Sequence, residues 1–369
     1  ISSLKNLIAG QLYFFRAWWH FEMMQQLGGL PYIDQVLDAS SKLTLPRLSY
    51  QECAAKAGED FRKAADLLPI DWDKTTAGKQ TSGHNQLRIN KIMALGYLGK
   101  NYLWAASPLM KNGAKLGAVK SEITYDYDAG YSKKAAEALG ELLNLVEGGQ
   151  TQYALASYNY DDIYNHVISS NESSSFDDIF YTVNQNYQMP GSTEAIFRGP
   201  CDENKWASPW NHGKLFGPKM NGVVPHDNVI HQPTANLVEA YGMANGEPAF
   251  LIENGELVPN LAGGFDPEHP WKNRDPRFYH DIVYDGCKFI NDVGSATDVL
   301  KNYIYCNLSS SESTTSDGMQ TMRSVENGSQ TGYFIQKLVP HTANSVDQYY
   351  DKAFNAYLPY MRLADIYLM

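Results

Sequence analysis

Four helical patterns, each with a start or stop signal written into the chain, occupy residues 1–149 and constrain the fold more than any other feature. Leu4, Leu7, Ile8, Phe15, Trp18 and Trp19 recur with a helical period until Gly28, Gly29 and Pro31 end the run. Ser49 and Glu52 have the spacing of a capping box, and Ala54, Ala57, Phe61, Ala64, Ala65 and Leu68 follow on one face up to Pro69. A third pattern, Gln86 to Ala106, carries Ile89, Ile92, Leu95, Gly99 and Leu103 ahead of Pro108. The fourth, Lys133 to Glu147, carries Ala136, Leu139, Leu142, Leu143 and Val146 ahead of Gly148 and Gly149. Small residues at Ala64, Ala65, Ala94, Gly96 and Gly99 permit close helix approach. Leu98-Gly99-x-x-Tyr102 repeats a fragment of the tetratricopeptide signature. One fragment supports a stack of helical hairpins and not a repeat array.

The texture changes after Gly149. Tyr, Asn, Ser, Gly and Pro dominate to about residue 344, with strand-like pieces at Ala195-Ile196-Phe197 and Ile282-Val283-Tyr284 and a short helix within Pro233–Tyr241 that ends at Gly242. Polar Ser-rich runs at 169–175 and 309–318 read as exposed loops. Helical texture returns over Ala353–Met369 through Leu358, Met361, Leu363, Ile366 and Leu368 and stops without a cap, as at an end cut inside a larger protein. The pattern therefore predicts a helical scaffold over 1–149, a loop-rich ligand-binding region over 150–344 and a C-terminal helix over 345–369 that returns to the scaffold. In that layout the scaffold helices and the C-terminal helix form one layer on which the middle packs.

Composition narrows the function classes. Charged residues make up 19% of the chain, below the roughly 25% of an average domain, while aromatics reach 12%, with 25 Tyr and 7 Trp. Polarity thus comes from Tyr, Asn, Ser and Gly, which suits sugars. A net charge of -11 argues against a protein that coats phosphate backbones, so nucleic acid is not the expected partner. No run of 18 apolar residues occurs, and Ile1-Ser2-Ser3 shows no charged n-region, apolar h-region or small-residue cleavage site, so any export signal was removed or was never in this chain. Cys53, Cys201, Cys287 and Cys306 form no C-x-x-C. Cys53 falls on the core face of the second helix, and Cys287 and Cys306 can meet only if the segment between them folds back.

Enzymatic signatures are weak. His226, Asp227 and His231 lie close enough to face one ion, but their spacing matches no metal motif, and incidental histidines on a surface loop explain them as well. Asp126, Asp128, Asp161, Asp162, Asp177 and Asp178 supply carboxylates for glycoside hydrolysis or calcium coordination, or simply solvated loops. The chain has no G-x-S-x-G and no P-loop, and binding requires no cofactor. What stands out is aromatic and amide side chains sharing loops, above all Trp206, Trp210 and Asn211, with Tyr187 as a second wall and Trp271 in reserve. Aromatic faces pack on pyranose C–H faces while amides bond the hydroxyls. Each Trp can equally plug its own loop onto the core. A helical carbohydrate-active enzyme and a peptide-binding helical scaffold are the alternatives to a glycan-capture protein.

Several segments together resemble one family, the SusD/RagB glycan-binding outer-membrane lipoproteins of Bacteroidetes. Arg16-Ala17-Trp18-Trp19 with Gly28-Gly29-Leu30-Pro31 is similar to the family's Arg-Ala-aromatic helix and its Gly-x-x-Pro exit. Pro46-Arg47-Leu48-Ser49 with Asp60 and Leu68-Pro69 is similar to the next helix pair. Arg274-Asp275-Pro276-Arg277 and Arg362-Leu363-Ala364-Asp365-Ile366-Tyr367-Leu368-Met369 resemble two later family segments. The resemblance implies a mainly α, tetratricopeptide-like scaffold with irregular insertions, anchored in the outer membrane by a lipidated cysteine that lies before Ile1. It also implies a SusC-like TonB-dependent porin partner that imports the bound oligosaccharide or polysaccharide, no enzymatic turnover, and structural roles for Arg16, Arg274 and Arg362.

Overall fold

The Ser49 hydroxyl accepts the Glu52 amide at 3.2 Å and the Glu52 carboxylate accepts the Ser49 amide at 2.8 Å, so the second helix begins where the capping box places it. The computed structural model describes residues 4–40, 44–85, 87–111, 127–155, 181–182, 194–199, 231–285, 287, 304–305, 319–320, 329–337, 355–356 and 359–369. Its helices are α1 Leu4–Leu27, α2 Tyr50–Leu67, α3 Lys91–Ala105, α4 Tyr131–Glu147, α5 Ala235–Glu239, α6 Pro276–Asp281 and α7 Leu363–Leu368. The strands are β1 Tyr181–Thr182, β2 Ala195–Arg198, β3 Phe250–Glu253, β4 Glu256–Pro259, β5 Ile282–Val283, β6 Ile304–Tyr305, β7 Met319–Gln320, β8 Phe334–Ile335, β9 Asn355–Ala356 and β10 Pro359–Arg362. The chain forms two compact units. One comprises Ile1–Leu155, Thr193–Gly199 and Pro359–Met369, the other Ala156–Ser192 and Pro200–Leu358.

In the first unit α1 packs on α2, α2 on α3 and α3 on α4. Contacts run in opposite chain order: Gly10 lies against Leu68, Arg16 bonds Asp60 and Gly29 abuts Ser49, so α1 and α2 are antiparallel. The same holds for α2 and α3, where Gly58 sits under Tyr102, the Asn101 amide donates to the Ala54 carbonyl, and that of Gln51 to the Ala105 carbonyl. The core between them is aromatic: Phe14 meets Phe61, Tyr97 and Phe197 at ring separations of 5.7, 5.8 and 5.6 Å, each edge to face. Met361, Leu363 and Ile366 join this core. Gly96 and Gly99 make the approaches possible. A Cβ at Gly96 would lie 2.4 Å from Met361 Sδ, and one at Gly99 2.4 Å from the Leu139 side chain.

Three expectations are adjusted. α3 begins at Lys91 rather than near Gln86, because Asn90 caps it by accepting the Met93 amide at 2.9 Å. On α1 the buried face is Leu7, Gly10, Phe14, Ala17, His20, Phe21 and Met24, whereas Leu4, Ile8, Phe15 and Trp19 are exposed. The helix is apolar on both sides, so its period does not reveal which side faces inward. Among the described residues of 353–369 the helix is Leu363–Leu368. Pro359 has no amide for a helical bond and disfavours helical backbone before it, and β10 instead pairs antiparallel with β2.

The second unit contains the antiparallel hairpin β3–β4, the pairs β5–β8 and β1–β9, the parallel pair β6–β7, and the short helices α5 and α6. Met243, Ala249 and Phe265 form a small core with Phe250 against it. Cys53 and Cys287 are buried free thiols. Cys201 and Cys306 lie outside the described residues, as do the two Ser-rich runs. No described helix is long and apolar enough to cross a membrane.

Candidate functional site

The three motif arginines are placed first, because their contacts decide whether they bind ligand or hold the fold. Arg16 donates to both Asp60 carboxylate oxygens at 2.6 Å and to the Asp34 carbonyl at 3.1 Å, and the Tyr32 hydroxyl donates to the same carboxylate at 2.8 Å. Hydrogen bonding to Asp60 raises the Arg16 pKa against the lowering effect of burial, while burial and the Asp60 charge raise that of Tyr32. This knot ties α1, α2 and the chain leaving α1. Beside it, Arg47 donates to the carbonyls of Leu27 and Gly29 and so closes the carboxyl end of α1. Arg362 reaches Glu194 at 3.4 Å, and its amide donates to Asp365 at 2.8 Å at the start of α7.

Arg274 is buried and donates to carbonyls: Tyr241 at 2.7 Å, Val238 at 2.9 Å, Pro270 at 3.0 Å and Gly242 at 3.4 Å. Val238 lies in α5, and Tyr241 and Gly242 just beyond its end, where helical amide donors run out. The guanidinium thus serves as a cap, with the Phe278 ring 5.0 Å away, and desolvation lowers its pKa. Asp275 accepts the Arg277 amide and Pro276 occupies the first turn of α6, so Arg-Asp-Pro-Arg is a turn that starts one helix and closes another.

Trp271 precedes this turn and is half-buried. Its indole lies on Tyr284, with ring centroids 5.6 Å apart and planes 30° apart, and its Nε1 donates to the Tyr333 hydroxyl at 3.5 Å. The Tyr279 hydroxyl donates to the Trp271 carbonyl at 2.6 Å and accepts the Arg274 amide at 3.0 Å, which fixes the backbone under the indole. Tyr333 is fixed in turn by Ser329, whose Oγ donates to the Tyr333 carbonyl at 2.7 Å and accepts the Gly332 and Tyr333 amides at 2.9 and 3.0 Å. The Gln330 amide donates to the Gln232 side chain at 2.7 Å, bringing 232 and 330 together. Trp271 and Tyr333 therefore form an aromatic edge held by backbone bonds and partly open to solvent. Tyr333 was not among the sequence candidates. Its only signal was the polar Ser329-Gln330-Thr331-Gly332 turn that precedes it.

The principal candidates Trp206, Trp210, Asn211 and Tyr187 lie outside the described residues, as do His226, Asp227 and five of the six aspartates considered above. The sixth, Asp128, accepts the Gly130 amide at 2.7 Å in the turn before α4. Among the described residues no cluster of His, Cys, Asp and Glu is arranged to hold a metal ion.

A stack of antiparallel helices joined by a returning C-terminal strand and helix, in a chain with a second compact unit, defines a tetratricopeptide-like scaffold of the SusD-like class. A SusD-like protein from Bacteroides fragilis NCTC 9343 matches at a TM-score of 0.56 and 20% identity, over 99% of this chain and 56% of its own. A SusD-like carbohydrate-binding protein from the same organism matches at 0.56 and 17%, over 99% and 54%. This chain thus spans a little over half the length of those proteins. The SusD family model matches residues 193–369, and the model described as starch-binding, associating with outer membrane, matches residues 2–103. The chain thus resembles the SusD family at both ends and shares the fold of SusD-like proteins. No curated protein matches its sequence.

Proposed function

We propose that this protein captures an oligosaccharide or polysaccharide at the cell surface and delivers it to a SusC-like TonB-dependent porin, binding without turnover. The observation that carries this reading is the pair of family matches, residues 193–369 to the SusD family and residues 2–103 to a model described as starch-binding, associating with outer membrane. On this reading the protein is a surface-exposed outer-membrane lipoprotein. No cofactor takes part. Arg16, Arg274 and Arg362 are engaged within the fold, which leaves sugar contact to aromatic and amide groups. We assign that contact to Trp206, Trp210 and Asn211 with Tyr187, and to Trp271 with Tyr333. Rigid aromatics suit capture because little side-chain freedom remains to be lost on binding.

Glycan-array binding of the full-length protein, with reducing-sugar release measured alongside, tests the reading. Saturable binding with intact ligand is the expected result, whereas turnover abolished by one Asp or Glu substitution overturns it. Calorimetry then tests the site. Trp210→Ala should weaken binding by about 1–3 kcal/mol without lowering the melting temperature, and undiminished affinity in Trp206→Ala and Trp210→Ala removes that loop from the site.

A further inference from the structure

Charge is divided unevenly between the two units. The second, Ala156–Ser192 with Pro200–Leu358, holds 24 of the chain's 41 Asp and Glu residues but only 11 of its 30 Lys and Arg residues, a formal charge of -13. The first holds the remaining 17 acidic and 19 basic residues, a charge of +2, so the net charge of -11 arises wholly in the second unit. All six proposed sugar contacts belong to that acidic unit. Residues 156–192, which include Tyr187, carry five carboxylates, Asp161, Asp162, Glu172, Asp177 and Asp178, and no lysine or arginine. Trp206–Asn211 contains no charged residue, and Asp202 and Glu203 offset Lys205 and Lys214 on its flanks. Around Trp271 and Tyr333, the described residues 231–285 and 329–337 hold nine Asp and Glu against four basic side chains. Three of the four are engaged within the fold: Arg274 is buried on carbonyls, Arg277 pairs with Asp275 at 2.5 Å, and Lys337 lies 3.6 Å from Asp281. Lys272 is exposed.

Recognition of a uronate carboxylate or a sulfate ester needs the opposite arrangement, a guanidinium fork or a cluster of ammonium groups facing the ligand. A polyanion approaching a unit of charge -13 is also repelled before contact, within the roughly 8 Å over which salt leaves charges visible to each other. A positively charged amino sugar would need a carboxylate partner, and Trp206, Trp210, Asn211, Tyr187, Trp271 and Tyr333 include none. Indole, phenol and amide groups instead match a ligand that offers hydroxyls and C–H faces alone. We infer that the glycan taken by this protein is uncharged, a chain of neutral sugars, and that the acidic field of the second unit turns uronate-rich and sulfated polysaccharides away. This names the ligand class of the capture reading above and rests on it. Discrimination thus comes from a repulsive element spread over the unit as well as from the contacts themselves.

Native affinity electrophoresis of the full-length protein tests this, in gels carrying neutral polysaccharides (starch, xylan, mannan) or acidic ones (polygalacturonate, alginate, chondroitin sulfate), each with and without calcium. A neutral polysaccharide should retard the protein and no acidic one should, in either buffer. Calorimetry with oligosaccharides of the retarding polysaccharide should then give a Kd that changes less than about twofold between about 50 and 500 mM salt, because no charge pair is made on binding. Retardation by an acidic polysaccharide overturns the inference and leaves glycan capture standing. A Kd that weakens about tenfold over the same salt range does so too, since it reveals charge pairing with the ligand. Retardation by no polysaccharide of either kind overturns the capture reading itself, and the ligand class with it.

Discussion

At the scale of single residues, the motif arginines act through geometry. The side chain of Asp60 is 3% exposed, so removing Arg16 leaves a buried carboxylate with the Tyr32 hydroxyl as its remaining side-chain donor. Arg16→Met should destabilise the protein by about 3 kcal/mol, read as a lower urea midpoint at constant slope. Arg16→Lys keeps the charge and loses the two-pronged bond, and should recover only part of that loss. A second residue-scale case is Asp281, which accepts from His280 Nδ1 and the Tyr241 hydroxyl, each at 2.8 Å, with the Lys337 ammonium 3.6 Å away. Burial pushes its pKa up, but the His280 hydrogen bond and the neighbouring charges outweigh burial and hold it below the usual carboxylate range. A lowered folded-state pKa gives stability that is present above the unfolded value, about 3.9, and is lost as pH falls through the folded one. The stability gap between wild type and Asp281→Asn should therefore be constant from pH 7 to 5 and shrink below about pH 4. A gap that widens in acid contradicts this assignment.

Elements show where local signals suffice. The capping box placed α2 to the residue, and Ser49→Ala should cost about 1 kcal/mol with the fold unchanged. Ala54, Ala57, Phe61, Ala64, Ala65 and Leu68 are all buried, as their spacing requires, because the remaining face of α2 is polar. α1 lacks that contrast, so its length and Gly28 stop were legible while its inward face was not. Gly99 belongs to this scale. A methyl there would meet Leu139 across the α3–α4 interface, and because side chain rather than backbone is met, relaxation is partial. Gly99→Ala should cost about 1–3 kcal/mol, and Gly99→Ala/Leu139→Ala should destabilise by less than the sum of the two single changes.

For the whole molecule, a captured glycan that binds only the native state must stabilise it. Ligand at 100 times its Kd should add about 2.7 kcal/mol, seen as a rise in melting temperature that Trp210→Ala diminishes. Capped helices and the motifs that resemble the SusD family are all properties of neighbouring residues, and these the sequence determined by itself. Four matters needed the tertiary structure: the inward face of α1, the strand made by Pro359–Arg362, the use of Arg274 as a cap for α5, and the meeting of Trp271 with Tyr333. Each joins residues distant in the chain. Met361 and Phe197, for instance, are register partners. Local periodicity and composition record only near neighbours, whereas a long-range pairing is set by which surfaces the folded backbone brings together and how much apolar area that meeting removes from water.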